Sequence, residues 1–206
     1  MRIVVVLCLA ALACTGCANA LLGSPAEAPE IYRLEVAGQP GGAERLPLAL
    51  AVSRPRAAAS LDTERIAVVE PDSRFDYYAG MRWSESAPQM LQPLLVGALQ
   101  SGGRYESVLA APSRVAVDLL LDVELRRFEA SYSTVGGAPR VRVEMHATLM
   151  DARRGERISS VLASAEASAA ASRRGEVVAA FERATGEAVG QVVRWLRNVQ
   201  PPHPAD

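Results

Sequence analysis

Residues 114–133, RVAVDLLLDVELRRFEASYS, decide the fold class of this chain. Hydrophobic side chains occupy every second position from Val115 to Leu125, whereas Asp118, Asp122 and Glu124 lie between them. A period of two is that of a β-strand, and one apolar face opposite one charged face is typical of a sheet that is solvated on one side. We therefore predict a long strand here. Its core-facing residues are Val115, Val117, Leu119, Leu121, Val123 and Leu125.

The next two segments repeat this alternation and predict an antiparallel meander. Residues 141–151, VRVEMHATLMD, follow a glycine-rich turn, and residues 158–168, ISSVLASAEAS, follow a second turn. Consecutive alternating segments joined by short turns are typical of antiparallel strands. The inward residues of the first segment are Val141, Val143, Met145, Ala147 and Leu149. Further short strands are predicted at 31–36, 45–55 (with Leu46, Leu48, Leu50 and Val52 on one face), 66–69 and 74–79.

Two segments have the period of a helix instead. In 86–105 the apolar residues recur at three- and four-residue spacing, Ser86 and Gln89 fit a capping box, and Gly102 and Gly103 provide the end. In 174–199 one broad face carries Val177, Phe181, Ala184, Ala188, Val192 and Trp195. The sequence therefore predicts a single α+β domain, with a mostly antiparallel sheet of about five strands and two main helices.

The N-terminus has the features of an export signal. Arg2 is followed by an uncharged apolar run over 3–13, about 11 residues against the roughly 20 that a membrane-spanning helix needs. Small residues then lead into Cys17, which resembles the lipobox of bacterial lipoproteins; Cys14 is the alternative, and a plain cleaved signal peptide is a further one. We predict a signal peptide at 1–16, a lipidated Cys17 with a tether to residue 30, a domain at 31–198 and a tail at 199–206.

The composition excludes several kinds of chemistry. All 22 basic residues are arginine, and a P-loop or a Schiff base needs lysine. The two histidines, His146 and His203, have no partners at ligand spacing, so we predict no catalytic residue, no metal and no cofactor. Asp118 and Asp122 would lie roughly 13 Å apart along a strand, which suits solubility better than acid–base catalysis. The net charge of −1 is spread along the chain, and nucleic acid is not an expected partner.

The segment FDYYAGMRW, residues 75–83, contains the residue types that are enriched at protein interfaces. Tyr77, Tyr78, Arg82 and Trp83 each combine a large flat surface with a polar group, and we predict that they bind a partner. The alternative is structural: Trp83 would pack the start of the helix onto the sheet, with the tyrosines beside it. The sequence leaves both interpretations open.

The order of the motifs resembles one known family. The motifs are YRL at 32–34, RIAVVEPDSRFDYYAGMRW at 65–83, MLQPLLVGALQSGGRYESV at 90–108, RRFEA at 126–130 and AVGQVVRWL at 188–196. They are similar to those of the ABC-type transport auxiliary lipoprotein family, which includes the lipoprotein of paraquat-inducible (Pqi-type) systems.

The resemblance implies a periplasmic α+β domain without ATPase activity. Such a domain would associate with a mammalian-cell-entry (MCE) protein and its ABC transporter, which move lipids or other hydrophobic molecules between membranes. Because Ala18 rather than Asp follows Cys17, we expect the lipid anchor to lie in the outer membrane, on its periplasmic face. The alternative is a direct periplasmic carrier of lipid or outer-membrane components. The sequence does not decide whether the domain associates with its own copies.

Overall fold

The computed structural model describes residues 28–36, 38 and 44–201. The predicted signal peptide, Cys14, Cys17 and most of the predicted tether lie outside the described residues, as does His203. Within the described residues, no helix has both the length and the apolarity that crossing a membrane requires.

The described chain contains nine strands and two helices. The strands are β1 (Glu30–Tyr32), β2 (Leu46–Val52), β3 (Arg56–Ala57), β4 (Arg65–Val69), β5 (Phe75–Trp83), β6 (Tyr105–Ala110), β7 (Leu119–Ser131), β8 (Arg140–Asp151) and β9 (Arg157–Ser168). The helices are α1 (Ala87–Gly102) and α2 (Arg174–Asn198).

The 13-residue strand β7 organises the sheet. Along one edge it pairs with β8 in antiparallel fashion over its whole length, and β9 continues on the far side of β8. Along its other edge it pairs in parallel with three short strands in succession, β2, β3 and β4. Strand β6 then joins β2, while β5 and β1 join β4, so that the sheet forks into two arms beside β7.

The α+β class is confirmed, but the predicted sheet was too small and too antiparallel. All nine described strands form one mixed sheet with one hydrophobic cluster, as expected of a single domain. The meander of β7, β8 and β9 is antiparallel, as the repeated alternation indicated. The parallel pairs involve β1, β2, β3, β4 and β6, whose neighbours in the sheet are distant in sequence. Strands β3 and β6 were not predicted.

The predicted core faces are confirmed in β8 and only partly in β7. All five inward residues predicted in β8 are fully buried. Strand β7 starts at Leu119, and Val115 is 63% exposed in the preceding loop. A bulge between Leu125 and Arg127 then shifts the alternation, so that Phe128 and Ala130 face the core.

Two other strands differ in length from the prediction. The predicted strand at 31–36 is in the sheet only at Glu30–Tyr32, although Leu34 beyond it is still buried. The predicted strand at 74–79 continues to Trp83 as β5, which brings the strand up to the start of α1.

Both helices pack with the predicted faces inward. Helix α1 begins after Ser86, whose backbone N–H donates to Oε1 of Gln89 at 3.3 Å, and ends before Gly103, which has a φ of 67°. Helix α2 packs on β8 and β9, and its Trp195 is partly buried, donating from Nε1 to the hydroxyl of Ser159 at 3.3 Å.

Candidate functional site

A large bulge divides strand β5 into two parts. Tyr77 is paired with Ala67, and Arg82 is paired with Arg65. Between these two pairs the chain advances two residues along β4 but five residues along β5. Gly80 lies in this bulge with a φ of 69°, a left-handed conformation that favours glycine. The bulge releases the chain from a regular ladder after Tyr77 and returns it to the sheet at Arg82. The tyrosines and Trp83 therefore lie in different surroundings.

Trp83, at the end of β5, belongs to the core. It is 1% exposed, and its ring centroid lies 5.1 Å from that of Phe181 on α2 and 5.7 Å from that of Phe128 on β7. Such a side chain offers no free surface in this fold, and the partner-binding role of Trp83 stays a prediction. The packing alternative describes its position.

The two tyrosines at the other end of β5 line a surface cleft of about 290 Å³. We call it the aromatic cleft and define it by Glu70, Tyr77, Tyr78, Tyr132 and Val135. Val135, in the turn between β7 and β8, is 92% exposed. The cleft thus joins three parts of the chain: the end of β4, the start of β5 and the β7–β8 turn.

Tyr78 is fixed by a second tyrosine. Its hydroxyl donates to the hydroxyl of Tyr132 at 3.0 Å, and the two rings meet edge to face with centroids 6.4 Å apart. Burial, the bond to Tyr132 and the nearby charge of Glu70 all raise the pKa of Tyr78 far above its ordinary value. The side chain is therefore a neutral, partly buried wall of the cleft at physiological pH.

Tyr77 is fixed on three sides. Its hydroxyl donates to the backbone carbonyl of Ser60 at 3.1 Å, and the ring of Phe75 meets its own ring edge to face at 5.4 Å. The guanidinium carbon of Arg65 lies 3.7 Å from the centroid of the Tyr77 ring, a cation–π contact. Phe75 itself is 42% exposed and extends the aromatic surface beyond the cleft.

Arg82 lies on the surface beyond the bulge and lines a different depression, together with Glu64 and Arg65. It is paired across the strands with Arg65 and lies 3.6 Å from a carboxylate oxygen of Glu64. Ile31 of β1 is paired with it on the other side and is 68% exposed. Arg82 and Ile31 thus lie on the far side of the bulge from Tyr77.

Sequence reasoning identified two of the five residues that define the cleft and missed the other three. Tyr132 and Val135 follow β7 at a distance of more than fifty residues from Tyr78, and Glu70 ends β4. They meet Tyr77 and Tyr78 because β4 lies between β5 and β7 in the sheet. No local signal in the sequence reports that strand order.

The polar residues considered for catalysis or metal binding form ion pairs or lie on the strand face opposite the core. Asp118 accepts from Arg153 at 2.9 Å, and Asp122 accepts from Arg56 at 2.8 Å. His146 lies on β8, partly buried, on the face opposite the core. Among the described residues, no three His, Cys, Asp or Glu side chains are grouped closely enough to hold a metal ion.

Residues 32–193 match the family model for the ABC-type transport auxiliary lipoprotein component. The chain belongs to this family. Most of the described domain, from β1 to the last turns of α2, lies within the match.

Two solved structures have a fold similar to that of this chain. Protein XCC0632 from Xanthomonas campestris is 26% identical with a TM-score of 0.75, and the similarity covers 81% of this chain and 94% of that one. An uncharacterized protein is 17% identical with a TM-score of 0.64, covering 82% of this chain and 99% of that one, and this likeness shows the fold alone. No curated protein matches the chain in sequence.

The N-terminal segment of this auxiliary lipoprotein enters the domain close to the β5 bulge. Glu30, the first residue of β1, pairs with Arg174 at the start of α2 at 2.6 Å. The hydroxyl of Tyr32 also donates to Glu30, and these two contacts lower the pKa of the Glu30 carboxyl. Arg174 lies 3.0 Å from the position that a Cβ at Gly80 would take. The described chain therefore begins beside Gly80 in the β5 bulge.

Glutamine side chains of the two helices form hydrogen bonds with backbone groups at two sheet edges of this lipoprotein. On β9, the side-chain amide of Gln191 donates to the carbonyl of Ser164 and accepts from its N–H, both at 3.0 Å. On β6, the amide of Gln100 donates to the carbonyl of Val108 at 2.9 Å. These contacts take positions that an added strand would use, so contact through side-chain surfaces is favoured over strand addition at these edges.

Proposed function

We propose that this chain is the non-catalytic accessory lipoprotein of an MCE-type ABC transport system, and that it contacts a protein of that system through the aromatic cleft. The system would move lipids or other hydrophobic molecules between the two membranes. The non-catalytic part of the proposal rests on the family, which is one of auxiliary transport components.

The observation that carries the docking part is the set of partly exposed tyrosines held in fixed positions. Tyrosine is enriched in the residues that dominate binding energy, because it offers a large surface with a polar end. Tyr77 and Tyr78 are each held by a hydroxyl hydrogen bond and a ring contact. Side chains that are ordered before binding lose less conformational freedom when a partner arrives. Arg82 would contribute from the neighbouring depression, which it lines together with Arg65, the residue that stacks on Tyr77.

The docking proposal is tested by recovery of the partner from detergent extracts. Full-length lipoprotein is captured, and the co-purified proteins are identified by mass spectrometry. We expect an MCE protein with wild type and a several-fold lower recovery with Tyr77→Ala. Leu162→Ala is the matched control, because Leu162 is also a large exposed hydrophobic residue but lies on β9 away from the cleft. Equal recovery with all three proteins would contradict docking at the cleft, and the absence of transporter components with wild type would contradict the assignment.

The anchor and the location form a second part of the proposal. We infer that Cys17 carries the lipid and holds the domain at the periplasmic face of the outer membrane. Several acyl chains on one cysteine bind a membrane far more firmly than a single chain. Cys17→Ser should move the protein into the soluble periplasmic fraction, whereas Cys14→Ser should not. The opposite result would assign the lipid to Cys14, and membrane association of both variants would contradict a lipid anchor at either cysteine.

A direct carrier of lipid remains the second candidate, favoured by a separate cavity. This cavity, about 800 Å³, opens at the end of the domain where α2 terminates, and its walls include Leu46, Leu48 and Arg104. The volume is within the range of about 300–1,000 Å³ that is usual for small-molecule sites. The arginine of this cavity, however, already has a partner within the domain. Arg104 donates to the carbonyl of Val199 at 2.9 Å, as expected of a cation at a helix C-terminus. Lipid found by mass spectrometry in stoichiometric amount with the purified protein would favour the carrier, and protein free of lipid would favour docking.

A further inference from the structure

The walls of the aromatic cleft carry negative charge and no positive charge. Three tyrosine rings and one carboxylate, that of Glu70, line it, and among the described residues that form its walls there is no arginine. Arginine is frequent elsewhere on this surface, where it pairs with carboxylates; Glu166, for example, lies between Arg140 and Arg142. The cleft walls therefore carry one carboxylate and no arginine, although the guanidinium of Arg65 lies against the ring of Tyr77.

Glu70 is held in place by its backbone while its carboxylate stays unpaired. Its N–H donates to the carbonyl of Arg74 and its carbonyl accepts from Ser73, both at 2.9 Å, which fixes the turn after β4. Within the described residues, no arginine nitrogen lies within 4.0 Å of the Glu70 carboxylate, and the residue is half-buried. A half-buried carboxylate without a counter-ion leaves a favourable position for a cation.

The tyrosines favour the same kind of ligand. The face of a tyrosine ring attracts cations, and the ring of Tyr77 already has the Arg65 guanidinium 3.7 Å away. The volume of about 290 Å³ is at the lower limit for small-molecule sites, which start near 300 Å³, and suits one long side chain better than a lipid with its acyl chains. Charge and size thus select a single cationic side chain.

We propose that the aromatic cleft binds one arginine or lysine side chain of the partner protein, with Glu70 as its counter-ion and the rings of Tyr77, Tyr78 and Tyr132 around it. This inference rests on the proposed docking function and specifies its chemistry. The cation of the partner would supply the charge that the cleft lacks, and the aromatic walls would exclude water from the contact.

A peptide probe tests the inference without the partner. Tyrosine-labelled full-length lipoprotein in detergent is titrated with acetyl-Gly-Arg-Gly-amide, and the ring signals of Tyr78 and Tyr132 are followed by NMR. The same peptide with citrulline, a neutral analogue of arginine, is the ligand control. We expect the arginine peptide to shift the ring signals and the citrulline peptide to leave them in place. Equal shifts with the two peptides would overturn charge recognition.

Charge removal in the protein provides the second arm. Glu70→Gln should weaken binding of the arginine peptide by about tenfold, which corresponds to the loss of a close charge contact together with part of the cation–π attraction. Glu106→Gln is the matched control, because Glu106 is an exposed glutamate on β6 outside the cleft. Binding that is equally strong in wild type and Glu70→Gln would overturn the role of Glu70.

Two further outcomes separate this inference from the proposed function. If the MCE protein is recovered equally by wild type and Glu70→Gln but is lost with Tyr77→Ala, docking stands and the cation contact is wrong. If phosphatidylethanolamine vesicles shift the Tyr78 and Tyr132 signals and the arginine peptide does not, the cleft binds a lipid ammonium group and the inference is wrong.

Discussion

The two ends of strand β5 carry similar aromatic side chains in opposite surroundings. At one end Trp83 contacts Phe128 and Phe181 and is 1% exposed. At the other end Phe75 is 42% exposed, and Tyr77 lies between it and Arg65. Residue type alone therefore did not decide which aromatic side chain stabilises the core and which one is available to a partner.

The difference comes from the neighbours that each end meets. The helices pack mainly on β2, β6, β8 and β9, and α2 also brings Phe181 against Trp83. The end with Phe75 and Tyr77 is paired with β4, and the bulge that follows Tyr77 separates it from the end that carries Trp83; together with the β7–β8 turn, the tyrosines line the cleft. A partly exposed aromatic surface and a core contact are thus produced within nine residues of one strand.

Replacing Trp83 should have the largest effect on this contrast. Trp83→Ala removes the ring that packs against both Phe128 and Phe181 and leaves a cavity, so we expect a loss of about 3–5 kcal/mol in the free energy of unfolding. Urea denaturation followed by circular dichroism measures it. Phe75→Ala is the matched control from the exposed end, with an expected loss below about 1 kcal/mol, because little burial is lost there. Similar losses for the two variants would show that the two ends of β5 do not differ in side-chain burial as the structure indicates.

A substitution in the bulge should have an intermediate effect. In Gly80→Ala the side chain must adopt a φ of 69° and approach Arg174, and the left-handed conformation alone costs about 1–2 kcal/mol. Gly97→Ala in α1 is the control, because a Cβ there has open space around it and alanine favours the helix by up to about 1 kcal/mol. We therefore expect Gly80→Ala to lower Tm and Gly97→Ala to raise it. Stabilisation by both would contradict a conformational requirement for glycine at 80.

The sequence predicted well those features that depend on local periodicity. The inward face of β8 was predicted residue by residue, because alternation along one strand determines which side chains share a face. The start and end of α1 were predicted from Ser86, Gln89 and the glycines, whose effects are also local. The bulge in β7 was not, because Arg126 and Arg127 interrupt the alternation without showing which face follows.

Features that depend on pairing between distant segments of the chain could not be predicted from the sequence. The two-residue β3 is too short to show a period, and the parallel partners of β2 and β4 come from segments far along the chain. The same limit applies to the cleft. Tyr77 and Tyr78 were found from their residue type, whereas Tyr132 and Glu70 join them only through the strand order. For Trp83 the sequence left packing and partner binding both open, because composition does not report burial.

The smallest expected effect concerns the hydroxyl of Tyr78. Tyr78→Phe removes the bond to Tyr132 and should lower the free energy of unfolding by about 0.5–1.5 kcal/mol at neutral pH. The structure also predicts a pH dependence. Because the folded pKa of Tyr78 is raised above the unfolded value near 10, the folded state keeps a proton that the unfolded state loses, and stability must fall as pH rises above about 10.

The pH dependence is measured as a difference between wild type and Tyr78→Phe, since the pKa values of Tyr32 and Tyr105 are raised as well. Urea denaturation at several alkaline pH values should show wild type losing its advantage over Tyr78→Phe as pH increases. Tyrosinate absorbance of the folded proteins should rise equally in both just above pH 10, because Tyr78 stays protonated there. An extra tyrosinate in wild type at that pH would mean that Tyr78 is open to solvent, and the aromatic cleft would then lack the fixed wall that distinguishes it from an ordinary exposed surface.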